Sequence, residues 1–93
     1  MTKSELIKKL AAKHPSLKER EVEDLVTLVL SEISQTLANG DRVELRGFGA
    51  FSVRVRTART ARNPRTGKSV EVDERRSIYY RPGKELKELI NQG

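Results

Sequence analysis

Residues 59–69 carry a basic side chain at every third position, no acidic residue and no large apolar side chain. Such a segment cannot contribute to a hydrophobic core, but its guanidinium and ammonium groups can neutralise phosphates and release their counterions. Pro64 adds a rigid apolar ring that can either wedge between base steps of a duplex or only shape a turn. The basic residues of the segment are Arg59, Arg62, Arg65 and Lys68.

The net charge of +6 is concentrated in the middle of the 93-residue chain. Residues 1–40 hold six basic and six acidic side chains, and residues 83–93 hold two of each, so both ends are neutral. Residues 41–82 hold eleven basic and five acidic side chains. A short charged run is usually only a solvated face, but a long run in an otherwise neutral chain indicates an anionic partner.

The residue types that other kinds of chemistry need are scarce. Gly67-Lys68-Ser69 resembles the end of a phosphate-binding P-loop, but Arg62 stands where that loop needs its other glycine. His14 is the only histidine and there is no cysteine, so neither a zinc site nor a nucleophile–base pair can be assembled from the usual parts. We therefore predict that the protein is not an enzyme and has no cofactor, no metal and no small-molecule substrate.

Length and hydropathy predict a single domain over residues 1–93 with no membrane partner. No run of about 18 apolar residues is present, and the N-terminal "MTKSELIKKL" lacks the apolar centre of a signal peptide. The absence of cysteine fits a reducing cytosol. A domain of this size buries only about 60–65% of the surface that its unfolded chain exposes, so we expect a partner that completes the core.

Helical spacing of apolar residues predicts a helical hairpin over residues 1–40. Thr2 and Glu5 form a capping-box pattern before the first helix, and Ser16 and Glu19 repeat the pattern before a longer second helix. An Asn-Gly pair then ends the second helix. The apolar positions of this second helix are Val22, Leu25, Val26, Val29, Leu30, Ile33 and Leu37.

A period of two replaces the helical period over residues 41–82 and predicts three strands. The first lies at about 43–45, the second begins near Phe51, and the third runs from Val70 through Tyr80. The second and third strands continue toward each other as a two-stranded ribbon over about 55–72, with "NPRTG" as its turn. The apolar positions of residues 83–93 predict a short final helix.

A helix is the alternative to the ribbon, because the basic residues of this segment lie three apart. Proline in a helix interior costs about 3 kcal/mol, and the glycine and three threonines of the segment also disfavour a helix. The ribbon is therefore the better prediction. Beyond Val55 the sequence offers no apolar face to hold the ribbon on the body, so we expect the ribbon to be mobile without a ligand.

Three segments in register carry a family resemblance: "RGFGAF" at 46–51, "RNPRTG" at 62–67 and "RPGKEL" at 81–86. Over essentially its whole length the chain resembles the bacterial HU and integration host factor proteins. "MTKSEL" and "RVELRGFG" resemble the beta subunit of integration host factor more than HU. The resemblance implies an α+β fold with a helical hairpin base (1–40), a three-stranded antiparallel sheet (41–82) extended into a β-ribbon arm, and a short C-terminal helix (83–93), in an intertwined dimer.

The function that the resemblance implies is that of an architectural protein of the bacterial nucleoid in the cytoplasm. Such proteins bind double-stranded DNA through the minor groove and bend it, which supports recombination, replication and transcription regulation. The implied partner is an alpha subunit in a heterodimer. A homodimeric HU-like protein of low sequence preference is the alternative within the family.

The resemblance also assigns roles residue by residue. Pro64 matches the intercalating proline of the family, and Glu44 and Arg46 match positions associated with sequence preference in the beta subunit. The family commonly has glycine where this chain has Ala61, so a positive φ angle there would strain the tip. The DNA-binding residues would be Arg54, Arg56, Arg59, Arg62, Asn63, Arg65, Lys68, Arg75 and Arg76 on the arm, and Lys3, Glu44, Arg46, Arg81, Gly83 and Lys84 on the body. The dimer core would include Leu25, Val29, Ile33, Phe48, Phe51 and Tyr80.

Two other classes of function stay open at this stage. A basic interaction module could bind acidic proteins or anionic membranes, although no amphipathic basic helix is predicted. An RNA-binding protein would need exposed aromatic rings on which bases stack, and most of the four aromatic residues are assigned to the core.

Overall fold

The structure, a computed structural model, describes residues 1–92, so Gly93, the end of the predicted C-terminal segment, lies outside the described residues. The elements form an α+β fold, as predicted. The chain divides into two compact units, Met1–Gln35 and a second unit that begins at Thr36. The elements are α1 (Lys3–Lys13), α2 (Glu19–Ala38), β1 (Val43–Leu45), β2 (Gly49–Arg56), β3 (Arg59–Arg62), β4 (Ser69–Val72), β5 (Arg75–Pro82) and α3 (Lys84–Ile90).

The two helix starts differ in how well the sequence predicts them. The backbone N–H of Glu5 donates to the hydroxyl of Thr2 at 3.2 Å, which confirms Thr2 as the cap of α1. At α2 the capping-box prediction at Ser16 is wrong by two residues. There the backbone N–H of Lys18 donates to the carboxylate of Glu21 at 3.2 Å, and the helix begins only after Lys18. The loop after α1 takes two more residues than the sequence pattern predicts.

The main sheet has three antiparallel strands in the order β1-β2-β5, and this arrangement was predicted. Phe51 lies between Val43 on β1 and Tyr80 on β5. Since directly opposed residues point to the same side of an antiparallel sheet, these three side chains share one face with Val53 and Val55. The alternate residues of β2 and β5 that lie between these positions point to the opposite face.

The predicted long ribbon exists, but its strands are interrupted where it leaves the main sheet. Residues 57–58 separate β2 from β3, and residues 73–74 separate β4 from β5, so the third strand is not continuous as predicted. Acidic residues are depleted in strands, and Asp73 and Glu74 lie at the interruption. β3 and β4 pair only with each other. Ala61 lies opposite Val70 and shares its face with Val72, so a narrow apolar strip does continue beyond Val55.

Helix α3 starts against the turn between β1 and β2. The backbone N–H of Gly83 donates to the carbonyl of Phe48 at 2.9 Å. A Cβ atom at residue 83 would lie 3.3 Å from backbone carbons of Gly47 and Phe48, so this close approach favours glycine. Within residues 1–92, no helix is both long and apolar enough to cross a membrane.

The hydrophobic core of the single chain is small. Among the described residues, the buried apolar side chains are Ile7, Val22 and Leu37. The hydroxyl of Tyr80 donates to the carbonyl of Phe48 at 2.8 Å, and the ring of Tyr80 lies 4.7 Å from that of Phe51. The aromatic cluster formed by these three rings is only partly covered, because Phe48 is 48% exposed.

Candidate functional site

One face of the main sheet is basic. Alternation along β2 places Arg54 and Arg56 on the face opposite the aromatic cluster, and the β2–β5 register adds Arg75 and Arg81 from the neighbouring strand. We call this surface the basic face. On β2 and β5 it contains no acidic residue. Its remaining positions on these two strands are Ala50, Ser52, Ser77 and Tyr79.

Two arginines of the basic face are directly opposed. Arg56 is the Cα partner of Arg75, and both side chains are exposed. Like charges directly across an antiparallel pair are destabilising in the absence of a counter-charge. The end of the β2–β5 ladder therefore places two arginines side by side where the ribbon begins, and Asp73 lines the same pocket as both of them.

Tyr79 organises a second part of the basic face. The guanidinium carbon of Arg54 lies 3.7 Å from the centroid of the Tyr79 ring, in a cation–π contact. Arg54 and Tyr79 line a groove together with two small residues, Ala50 and Ser52, and two more arginines, Arg42 and Arg81. Neither Tyr79 nor Arg42 is among the predicted site residues. Period-two alternation, which puts Tyr79 on the same face as Arg81, is the signal that could have identified the tyrosine.

The tip of the ribbon is a hydrogen-bonded turn built around Asn63. The side-chain oxygen of Asn63 accepts from the backbone N–H of Arg65 at 2.8 Å, and its carbonyl accepts from Gly67 at 2.8 Å. Gly67 has a φ angle of +72°, which glycine adopts without strain. The backbone N–H of Lys68 donates to the hydroxyl of Thr66 at 3.3 Å. Pro64 follows Asn63 in this turn, and its ring is exposed.

Ala61 fits the ribbon without backbone strain. Within residues 1–92, no residue other than glycine has a positive φ angle. Ala61 lies in β3 opposite Val70, on the same face as Arg59, whereas Arg62 lies opposite Ser69 on the other face. The strain that an alanine would suffer at a positive φ angle is therefore absent.

The base of the sheet carries the two residues matched to sequence preference. Glu44 on β1 pairs with Ala50, which in turn pairs with Arg81, so Glu44 and Arg81 share the basic face. The Arg42 guanidinium lies 3.9 Å from the Glu44 carboxylate, an exposed pair of little energetic weight. Arg46 follows β1 in the turn to β2.

The other predicted DNA-binding residues have diverse surroundings. Lys3 and Lys84 are the first residues of α1 and α3, and both are exposed. The N–H of Gly83 is already engaged by the Phe48 carbonyl. Arg76 faces away from the basic face, beside Val55, and its guanidinium donates to the carbonyl of Ala38 at 3.3 Å. Within residues 1–92, no group of three His, Cys, Asp or Glu side chains is placed to hold a metal ion.

The predicted dimer-core residues are largely uncovered in the single chain. Leu25 and Val29 on α2 are 52% and 57% exposed. Ile33, Phe51 and Tyr80 are partly covered. Large apolar side chains exposed in this way are typical of a surface that contacts another molecule.

Comparison with known proteins assigns the family. The sequence model described as "Bacterial DNA-binding protein" matches residues 1–91. The chain belongs to this family. HU from Anabaena, solved in a cocrystal structure with DNA, is 32% identical to this chain. The match covers 100% of this chain and 100% of that chain, with a TM-score of 0.83.

Two further members with solved structures support the same fold. HU from Thermotoga maritima is 27% identical, with 98% of this chain and 100% of that chain covered and a TM-score of 0.66. A mutant of transcription factor 1 is 32% identical, with 96% and 89% covered and a TM-score of 0.62. The family is one of DNA-binding proteins and not of enzymes. The basic face and the ribbon are therefore the surfaces to consider for a nucleic acid.

Proposed function

We propose that this chain binds double-stranded DNA along the basic face and the ribbon and bends it, as an architectural protein of the bacterial nucleoid. The observation that carries this proposal is the direct opposition of Arg56 and Arg75 at the root of the ribbon. A polyanion that lies across this point relieves the repulsion between the two arginines and releases its own counterions. Duplex DNA supplies such a continuous line of phosphates.

The ribbon suits the minor groove. Arginine side chains insert readily into a narrow minor groove, where the potential is most negative. Arg59 and Arg62 point to opposite faces of the ribbon, so one inserted ribbon presents a guanidinium to each side. Pro64 at the tip then acts as the apolar wedge between base steps, a mode already established for HU- and integration host factor-type proteins. Smooth bending of a site of 20–30 base pairs costs about 1–6 kcal/mol, which the wrapped contacts must offset.

The chain acts as an intertwined dimer in this proposal. Few apolar side chains are buried among the described residues, while Leu25, Val29 and Phe48 are about half exposed. A partner that covers these residues supplies the core that a chain of this size lacks. The two ribbons of the dimer, one from each chain, then contact one duplex from two sides.

At a finer level, we infer that the chain is the beta subunit of an integration host factor and pairs with an alpha subunit. Support comes from its sequence segments and from Glu44, which places a carboxylate beside Arg42 and Arg81 on the otherwise basic face. A carboxylate can accept a hydrogen bond from a base but repels phosphates, so it favours selective over uniform DNA binding. A homodimeric HU-like protein is the second candidate, favoured by the full-length similarity to HU from Anabaena.

Three ligands separate DNA bending from the other classes of function. Fluorescence anisotropy should show tight, salt-dependent binding to a DNA duplex, and weaker binding to an RNA duplex and to anionic vesicles at the same salt concentration. End-to-end energy transfer on the DNA duplex should then rise as the protein is added. Equal affinity for all three ligands, or binding without a rise in transfer, would point to a basic interaction module. Sedimentation of the chain expressed alone distinguishes the two family candidates, since only the HU-like protein needs to form a stable dimer by itself.

A further inference from the structure

The end of α2 is closed by a defined hydrogen-bond pattern that does not include the carbonyl of Ala38. Gly40 has a φ angle of +84°, and its N–H donates to the carbonyl of Leu37 at 2.9 Å. The next N–H, of Asp41, donates to the carbonyl of Thr36 at 3.0 Å. This pair of bonds is the Schellman motif, which satisfies two of the last carbonyls of a helix. The carbonyl of Ala38 lies outside the motif and needs another donor.

Arg76 supplies that donor from a distant strand. Its Nη1 donates to the carbonyl of Ala38 at 3.3 Å. Its Nη2 lies 3.4 Å from where a Cβ atom of residue 40 would be, so the guanidinium fits against the bare glycine. A positive charge at a helix C-terminus is also favourable with respect to the helix dipole. The contact therefore combines a charge-assisted hydrogen bond, a dipole interaction and van der Waals contact.

The position of Arg76 along the chain gives this contact its significance. Arg76 pairs with Val55, and only one further pair, Arg56 with Arg75, precedes the interruptions at residues 57–58 and 73–74. Beyond those interruptions β3 and β4 pair only with each other. Arg76 is thus a link between α2 and the root of the ribbon. Its neighbour Arg75 points to the basic face, so two consecutive arginines have different surroundings.

We propose that Arg76 is a positioning residue that anchors the root of the ribbon to the end of α2, and that it is not a phosphate ligand. The anchor limits the directions in which the ribbon leaves the body, so that its tip meets the groove at the angle that a bend requires. This role rests on the proposed function in DNA bending. It separates Arg76 from the arginines that the sequence groups together as DNA contacts.

A matched pair of variants tests the proposal, namely Arg76→Met and Arg75→Met. Each removes one positive charge and keeps an unbranched side chain of similar length. The first readout is hydrogen exchange in the free protein, which needs no DNA. Arg76→Met should speed exchange at the amides of Gly40 and Asp41 by about two- to fivefold, because the helix end loses its charged donor. Arg75→Met should leave both amides at the wild-type rate.

The second readout is DNA binding as a function of salt. Arg75→Met should lower the slope of log affinity against log salt by about 0.9 for each phosphate that the variant no longer neutralises. Arg76→Met should keep the wild-type slope but give less end-to-end energy transfer on a saturated duplex. The variant Arg76→Lys, which keeps the charge without the planar fork, should fall between wild type and Arg76→Met in both exchange and transfer.

Two results would overturn the anchoring role. Wild-type exchange rates at Gly40 and Asp41 in Arg76→Met would show that the contact does not hold the helix end. A salt slope reduced as much as in Arg75→Met would make Arg76 a phosphate ligand. If the wild-type protein does not bend DNA at all, the proposed function fails, while the exchange rates still decide whether Arg76 anchors the ribbon root.

Discussion

Replacement of Arg56 by threonine should stabilise the free protein while it weakens DNA binding. Arg56 and Arg75 are opposed Cα partners at the end of the β2–β5 ladder. Cross-strand pairs contribute about 0.2–1 kcal/mol, with like charges on the unfavourable side. Relief of this pair should therefore raise the ratio of folded to unfolded protein by about 1.4- to 5-fold. For a domain of this size, the same free energy raises the melting temperature by about 1–8 °C.

Thermal and chemical unfolding of the free protein measure this gain. All samples are compared at one protein concentration, because the stability of a dimer depends on it. The gain should be present at low salt and nearly vanish at about 1 M salt, where the Debye length is about 3 Å. The matched control is Arg62→Thr, because Arg62 faces Ser69 and its removal relieves no opposed pair.

DNA binding should change in the opposite direction from stability. In both variants the salt slope should be smaller by about 0.9 for each phosphate that the arginine neutralises in the wild type. Arg56→Thr alone should combine weaker binding with higher stability. Equal stabilisation by Arg62→Thr would assign the gain to net charge. No stabilisation by Arg56→Thr at low salt would refute the electrostatic strain that we attribute to the basic face.

Three further substitutions test other parts of the structure. Gly49→Ala should destabilise the protein by about 1–3 kcal/mol in chemical unfolding, because the new Cβ would lie 2.7 Å from the carbonyl oxygen of Arg81. A variant as stable as the wild type would contradict this close approach. Asn63→Ala should speed hydrogen exchange at the Arg65 amide by about two- to tenfold, because the amide loses a hydrogen bond to the Asn63 side chain that contributes about 0.5–1.5 kcal/mol. An unchanged exchange rate would argue against this turn. Tyr79→Leu should weaken DNA binding by about two- to fivefold while Tyr79→Phe keeps wild-type affinity, because only the aromatic ring positions Arg54. Equal affinities of the two variants would contradict this role of the ring.

Local patterns in the sequence predict the elements whose causes are local. The Thr2 cap, the Asn39-Gly40 stop and the turn at Pro64 depend on residues close together in the chain, and all three were placed correctly. The start of α2 shows how such patterns mislead. Ser16 and Glu19 match the capping pattern, but the carboxylate of Glu21 accepts from the N–H of Lys18, and the helix begins two residues later than the pattern predicts.

Contacts between distant residues were beyond prediction from periodicity. The bond from Arg76 to Ala38 joins residues 38 positions apart, and although period-two alternation puts Arg75 and Arg76 on opposite faces, it does not show that Arg76 meets the end of α2. The stacking of Arg54 on Tyr79 likewise needs the β2–β5 register, which only the folded chain supplies. Asp73 and Glu74 are a local signal for the interruption at residues 73–74, but the matching interruption at residues 57–58 has no such signal in its own segment.

The central claim is that Pro64 at the ribbon tip bends DNA. End-to-end energy transfer on a labelled duplex of about 35 base pairs tests this claim most directly. Such a duplex is far shorter than the persistence length of about 150 base pairs, so its ends stay apart unless the protein bends it. The comparison is between wild type, Pro64→Ala and Arg65→Ala, each at saturation and fixed salt. Wild type should bring the ends together, and Pro64→Ala should bind with an unchanged salt slope but leave the ends farther apart. Arg65→Ala should lower the salt slope by about 0.9 for each phosphate that it no longer neutralises and keep the bend. Ends that stay apart under saturating wild type, or that approach equally with Pro64→Ala, would contradict the account.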